Sequence, residues 1–380
     1  MLVAPVISDW ASLVAPPSGT LFGKSIAAWR ESARKQLGLP KSTESALIVV
    51  GHQPEFFHPG ILAKFIAGSH IAKQVDGTLV HLVVDHHMGI SGNIDIPNQE
   101  GRYLSVSTVE IAALDSTIAM KDQPRVSLQN DNVFSNALHK AEGTNAALQF
   151  ANATNATMSK WATVGATISG TSLLGTAIGK AIVEEMLRDP EACIAAYNDA
   201  IDLYPSAALQ KLKPTELPLW HGASNAPCTD SYTDLRPRAL LLTLLARLAV
   251  GDLFVHGTSG AEYDIIMEQW AKNWLSITPC ATITVTATVK LPLHVQAIDD
   301  ARHIYFSPPK QLLDAINNAP YSSAEKKLQF FALHRWLEQN GQKPDIGLLK
   351  KAQQIASRRD WPFLLYSDEQ LTQLKNSITN

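Results

Sequence analysis

The stretch Ala46 to Val75, ALIVVGHQPEFFHPGILAKFIAGSHIAKQV, constrains the fold of this chain more than any other. Five apolar residues, Ala46 to Val50, run straight into Gly51, a polar loop holding Pro54, Pro59 and Gly60, and then an apolar pattern of helical period. The run reads as a buried strand and the pattern as a helix. Ile61, Leu62, Phe65, Ile66, Ile71 and Ala72 fall on one face, with Lys64 and Lys73 left for solvent. A strand with no polar alternation belongs to a parallel sheet covered on both faces. The loop then lies at the strand's carboxyl end, where open α/β sheets bind ligands. Glycines there let backbone approach a ligand and the helix offers free N–H groups to an anion, while His52, Gln53, Glu55 and His58 bring side-chain chemistry.

A chain of 380 residues is long enough for a large core and two or three structural units. Lys and Arg number 32 against 35 Asp and Glu, a net charge of −3, so the basic surplus that nucleic-acid binding needs is missing. Cys193, Cys228 and Cys280 are widely spaced and form no C-x-x-C, which argues against a disulfide framework or a cysteine zinc site and fits a reducing cytoplasm. The opening MLVAPVISDW lacks an early positive charge and is interrupted by Pro5 and Asp9, unlike a signal peptide. Trp161 to Gly179 carries no charge, yet its Thr, Ser and Gly content leaves it short of the hydropathy of a membrane span, so a packed or mobile segment is expected.

Taken in order, residues 1–20 read as an irregular arm, and Ser25 to Leu37 as a helix with Arg30, Arg34 and Lys35 on its wet side. Thr78 to Val84 is a second apolar strand, which completes a β-α-β unit with a right-handed crossover and brings Asp85, His86 and His87 beside the first loop. Tyr103 to Ile111 reads as a strand, with Pro97 and Pro124 in loops. Residues 131–213 read as a helical insert, rich in small residues up to Lys180 and holding a helix that ends before Pro190. Pro214 to Arg238, with four prolines, reads as a long connection. Ala239 to Val250 is an apolar helix, and LFVHGTSGAEYD repeats the opening grammar: strand Leu253 to Val255, glycine-bounded loop His256 to Gly260, helix Ala261 to Leu275. Ala281 to Leu291 alternates as a half-exposed antiparallel or edge strand. Helices follow over Gln311 to Asn317, Ala324 to Gln339, Pro344 to Arg358 and Asp368 to Ile378, with a short strand at Phe363 to Tyr366.

The fold expected is α/β: a three-layer Rossmann-like, mostly parallel sheet with an inserted helical subdomain and a helical C-terminal region. The segments are an N-terminal arm and helix (1–45), the first part of the core (46–130), the insert (131–213), the second part of the core (214–310) and the helical C-terminal region (311–380).

GHQPEFFHPG after a strand, VVDHH at the end of the next, Arg236-Pro-Arg238 before an apolar helix, and LFVHGTSGAEYD together resemble the bacillithiol synthase family. The likeness covers roughly Ala46 to Val84 and Arg236 to Asp264. It implies a Rossmann-like site related to nucleotidyltransferases, a nucleotide as ligand, and addition of cysteine to an amino-sugar acceptor. On the matching positions, Gly51, Gln53 and Gly60 belong to the first loop, Asp85 and His86 to the strand end, and Gly257, Gly260, Glu262 and Tyr263 to the third loop. The chain departs from the family at His52, His87 and His256, where that family has glutamine, an acid and glycine, so a shared scaffold is better supported than a shared substrate.

Read from the residues themselves, any one of His52, His58, His86, His87 and His256 is as well explained as a hydrogen-bonded loop histidine, but together they fall on three loops that the fold brings to one sheet edge. His52, Asp85 and His86 are the expected catalytic groups, with Asp85 a base, an orienter of an imidazole, or a helix cap. Arg236 and Arg238 suit a phosphate or carboxylate, or snorkel along the apolar helix, while Glu55 and Glu262 read as surface acids. Gly257 to Ala261 is not a G-x-S-x-G elbow, so no nucleophile is placed there. Three function classes follow, in order: a ligase- or transferase-like enzyme acting on a small anionic or amino-sugar metabolite; a metal-dependent hydrolase using clustered His and Asp ligands, which no ligand spacing supports; and a nonenzymatic metabolite or nucleotide sensor. Neither nucleic acid nor membrane is an expected partner, a homo-oligomer is left open, and no cofactor is fixed, a nucleotide ranking above a metal.

Overall fold

The computed structural model describes residues 2–90, 92–100, 103–127, 130–207, 209–229, 233–293, 308–340 and 346–379. The chain divides into two compact units, Met1–Asn93 with Glu110–Val289 and Pro362–Asn380, and Ile94–Val109 with Lys290–Trp361.

A six-stranded sheet forms the centre of the first unit. In chain order its strands are β1 (Leu2–Ala4), β2 (Leu47–His52), β3 (Thr78–Val83), β4 (Ala166–Ser169), β5 (Leu253–His256) and β6 (Thr282–Thr286). Their spatial order is β1-β6-β5-β2-β3-β4, and every neighbouring pair is parallel except β1 with β6. Successive strands run outward from β2 through β3 to β4, and the chain then returns to place β5 on the other side of β2. The order therefore reverses between β2 and β5, the point where an α/β sheet opens a crevice at its carboxyl edge.

Helices cover both faces of this sheet, as the unbroken apolar run of β2 requires. They are α1 (Ile26–Gln36), α2 (Pro59–Gln74), α3 (Val133–Lys140), α4 (Ala146–Met158), α5 (Gly170–Leu174), α6 (Ala177–Arg188), α7 (Pro190–Leu203), α8 (Ala239–Leu245), α9 (Thr258–Leu275) and α10 (Asp368–Thr379). Leu47 and Val49 of β2 join the core made by α1 and α5 to α9. Ile48 and Val50 face the other way, towards Gly68 of α2. Asp252, just before β5, staples this core: Arg30 and Arg34 of α1 reach its carboxylate at 2.5 and 2.7 Å, and the Leu47 N–H donates to it at 2.7 Å. In the second unit, strands Asn93–Glu100 and Tyr103–Glu110 pair as a two-stranded sheet, with helices at Lys310–Asn318, Ala324–Asn340 and Ile346–Ser357.

Several sequence expectations change. Arg30 and Arg34 are buried, not solvated, because their charges meet Asp252. Lys64 is buried as well, its ammonium donating to the Gly51 carbonyl at 2.9 Å. Residues 131–213 are not helical throughout, since β4 extends the central sheet beside β3. The charge-free stretch Trp161 to Gly179 holds β4 and continues into α5 through a Ser169/Ser172 capping box, so its small polar residues serve an edge strand and helix caps. The N-terminal arm supplies β1. The connection 214–238 contains a small sheet of Leu219–His221, Ala226–Pro227 and Leu235–Pro237. The alternating strand stops at Thr286 and lies inside the edge, pairing parallel with β5 and antiparallel with β1. Pro97 lies within a strand. Phe363–Leu365 is one 3-10 turn, anchored by the Phe363 N–H on the Phe57 carbonyl at 2.8 Å. The expected helix start at Pro344 and part of the expected second core segment, 294–307, fall outside the described residues. Among the described residues no helix is long and apolar enough to cross a membrane.

Candidate functional site

A cleft of about 340 Å³ opens at the carboxyl ends of β2, β3 and β5, where the strand order reverses. Gly51, His52 and Gln53 enter it from β2. His86 and His87 enter from the turn after β3, and Phe254 and His256 from β5. The three loops singled out in the sequence therefore meet at one edge.

His52 is held by the loop that leads to α2. Its Nε2 lies 3.1 Å from Oε1 of Glu55, and its ring stands edge-on to Phe57 at 5.2 Å between centroids. Burial pushes the imidazole pKa down to about 4, reinforced by Lys64 and opposed by Glu55, so the ring is neutral near neutral pH. For Glu55, burial acts to raise the carboxyl, but the hydrogen bond from His52 and the His52, His87 and His58 imidazoles bring it below its usual value. Glu55 is thus the partner of His52 as well as a surface acid, its side chain 45% exposed. An ionised Glu55 assigns the imidazole proton to Nε2 and leaves Nδ1 as the acceptor, a nitrogen with no hydrogen bond among the described residues.

The turn after β3 is fixed from several sides. Asp85 accepts from the Thr171 N–H at 3.0 Å and from its hydroxyl, at the start of α5, and Oδ1 lies 3.6 Å from Nδ1 of His86. Burial works to raise this carboxyl, yet the contacts with His86 and Thr171 leave it lowered. Asp85 therefore anchors the start of α5 and lies beside His86 without a hydrogen bond to it, and is not in the cleft wall. Asn225 donates to the His86 carbonyl at 2.6 Å, and Met120 N–H to that of His87 at 3.0 Å. Burial lowers the His87 pKa also. At β5, Nε2 of His256 lies 2.8 Å from Asp264, which itself faces Arg247 at 3.1 Å.

Other expected residues have structural roles. His58 caps α2 by accepting from the Gly60 N–H at 3.0 Å. A Cβ on Gly60 would stand 2.7 Å from the Ala287 carbonyl, so that glycine serves close packing and not ligand approach. Arg236 is fully buried between Asp122 at 2.6 Å and Asp234 at 2.7 Å, and reaches Asn225 at 3.3 Å. This network leaves it unable to serve as an exposed anion clamp, but places it behind the asparagine that holds His86. Arg238 pairs with Glu216 and stacks on Trp220 at 3.7 Å. Gly257 forms the N-cap of α9 near the Lys64 stem, and Gly260 packs against the His256 ring. Glu262 is exposed and Tyr263 packs on the core.

Sequence reasoning missed Trp220, Asn225, Leu242 and Thr243 in the cleft wall, along with Asp264 behind His256. The first four come from a proline-rich connection, away from its Arg236-Pro-Arg238 motif, and from the apolar helix after it. Among the described residues no three His, Cys, Asp or Glu side chains form a group able to hold a metal ion.

No family model matches the chain, and no curated protein matches it. Among solved structures, the tryptophanyl-tRNA synthetase of Plasmodium falciparum is similar at a TM-score of 0.30 and 10% identity, over 93% of this chain and 85% of that one. Tyrosyl-tRNA synthetase from Archaeoglobus fulgidus, complexed with L-tyrosine, gives 0.30 and 12%, over 98% and 95%. A product-bound parasite tRNA synthetase gives 0.28 and 10%, over 93% and 94%. The functional reading below rests on the cleft and not on these likenesses.

Proposed function

We propose that the protein is a ligase- or transferase-like enzyme that joins small metabolites in the cleft at the β2, β3 and β5 edge. The observation that carries this reading is the convergence of His52, His86, His87 and His256 on one cleft at the reversal of strand order. His52 is the catalytic base, a neutral imidazole whose Nε2–H donates a hydrogen bond to Glu55. It takes a proton through Nδ1 from an acceptor amine or hydroxyl as that group attacks an activated acyl carbon of the second metabolite, whose leaving group departs with the electron pair of the bond that breaks. His256, with Asp264 2.8 Å from its Nε2, and His86, on the turn that Asn225 holds through the His86 carbonyl, line the same cleft and donate to a developing charge. A nucleotide as one ligand, and cysteine as the amino acid joined, are the finer form of this reading and draw on the resemblance of the loops.

A thermal-shift screen of purified protein against nucleotides, amino acids including cysteine, and amino-sugar and sugar acids tests it, with His52→Ala in parallel. A native-state ligand raises the melting temperature by mass action, so no reaction need be assumed. A stabilising compound that is consumed by the wild type and not by His52→Ala supports the proposal. Compounds that bind and turn over equally well in the variant refute it.

A further inference from the structure

A second cavity of about 350 Å³ lies outside the cleft and shares no lining residue with it. Leu174 of α5, Val183 of α6 and Leu235 give it an aliphatic floor. Lys180 and Glu184, one helical turn apart on α6 and both exposed, stand at its rim. Among the described residues neither of these side chains makes an ion pair or a hydrogen bond, although Glu185 beside them pairs with Arg188. Lys ahead of Glu at this spacing is the weaker order for a helical pair, which leaves both charges for a third group.

The two charges restrict what the cavity can hold. A lone anion would meet Glu184 as it reached Lys180, and a lone cation would meet Lys180 as it reached Glu184, so each would gain little. A molecule with a carboxylate and an ammonium on neighbouring atoms answers both. An aliphatic body on the same molecule would cover Leu174, Val183 and Leu235 and remove their surface from water. A polar body finds no side-chain partner, because the Thr171 hydroxyl in the wall is held between Asp85 and Ser169. The cavity also touches what holds the His86 turn. Thr171 grips Asp85, the residue before His86, through its N–H and its hydroxyl. Leu235 precedes Arg236, which reaches Asn225, the donor to the His86 carbonyl.

We propose that this cavity is a second ligand site for an aliphatic zwitterion of the α-amino-acid kind, bound and not consumed, and that its occupancy is felt at the His86 turn. It goes beyond the reaction proposed for the cleft and does not depend on it. Among the described lining residues there is no His or Cys to act on the ligand.

Saturation-transfer NMR of the full chain with leucine as probe tests the binding, and the histidine Cε1–H spectrum, with His86 assigned by His86→Gln, tests the connection. Exposed ion pairs add little, so the aliphatic body carries most of the affinity and a dissociation constant of roughly 1 mM is expected. Glycine, which lacks the body, should not bind at the same concentration. Lys180→Gln should weaken leucine about two- to fivefold and leave leucinamide unchanged, whereas Glu184→Gln should weaken leucine by a similar factor and leave N-acetylleucine unchanged. Both side chains are exposed, so the variants should keep the wild-type melting temperature. Leucine should shift the His86 signal and leave that of His139 in place. Absence of saturable leucine binding up to about ten times the expected dissociation constant overturns the site. So does leucine binding that is indifferent to both α6 substitutions, which would place the ligand elsewhere. An unmoved His86 signal at saturation overturns the connection. The proposed enzyme activity fails separately, on indifference of turnover to His52→Ala.

Discussion

Replacing Asp252 with asparagine should unfold this protein more readily than most single changes. The carboxylate sits 2.5 Å from Arg30 and 2.7 Å from Arg34, and both arginines are essentially inaccessible to water. Asparagine keeps the size and one oxygen for the Leu47 N–H, so no cavity forms and the effect is that of charge. Breaking a buried ion pair by removing one partner costs about 3–5 kcal/mol. Two stranded guanidiniums would place the change at the upper end, but the carbonyls of Ser45, Leu248, Val250 and Gly251 still accept from them. A loss of about 3 kcal/mol is expected, against a total stability of roughly 5–15 kcal/mol for a typical domain. The melting temperature should fall by roughly 6 °C or more. Urea denaturation followed by tryptophan fluorescence measures it. Adding Arg30→Met to the asparagine variant should restore part of the loss, since it removes one orphaned charge. A change below about 1 kcal/mol, or a double variant no better than the sum of its parts, would refute the staple.

Three further outcomes are expected. Burial holds the His81 pKa at about 3 and the His52 pKa at about 4, both below the ordinary 6.5. The unfolded chain therefore binds more protons below 6.5, and stability should be fully present above that pH. It should drop by up to about 1.4 kcal/mol per pH unit for each ring on acidification towards pH 4. Urea midpoints that stay flat across that window would contradict this. Gly60→Ala should destabilise by about 1–3 kcal/mol through the clash with the Ala287 carbonyl. Its calorimetric ligand affinity should stay unchanged, whereas a selective loss of binding would return the residue to the site. Glu55→Gln removes the group that raises the His52 pKa, so that pKa should fall further in an NMR titration. Turnover should fall roughly 10²–10⁴-fold with the proton no longer fixed on Nε2, and a rate unchanged by this substitution would remove Glu55 from the mechanism.

The parts of the fold that were legible in the sequence are those whose burial pattern is local. Leu47 to Val50 could be read as a central parallel strand because both its faces are covered, and the glycine-bounded turn after Val255 because it repeats the same grammar. What stayed hidden depends on distant partners. Arg30 and Arg34 read as solvated because helix periodicity does not show a carboxylate more than two hundred positions away. β4 was masked by Thr and Ser, which suit a half-exposed edge strand as well as a mobile segment. In the site, the histidines were visible because titratable side chains on glycine-rich loops stand out, while Trp220 and Thr243 reach the cleft only through the tertiary course of a connection and a helix. Asp85 takes the helix-cap alternative that the sequence offered, and Arg236 is a charged residue beside the cleft that is spent on buried ion pairs.

The most direct test of the cleft as the functional site is a histidine-selective NMR spectrum recorded while the ligand from the stability screen is added. The Cε1–H signals are assigned by single His→Gln substitutions, and the chain has 12 histidines to compare. Signals of His52, His86, His87 and His256 should move together and saturate with one dissociation constant, while those of His81 and His139 stay in place. Movement confined to histidines away from the β2, β3 and β5 edge would contradict the reading of this cleft as the place where the protein works.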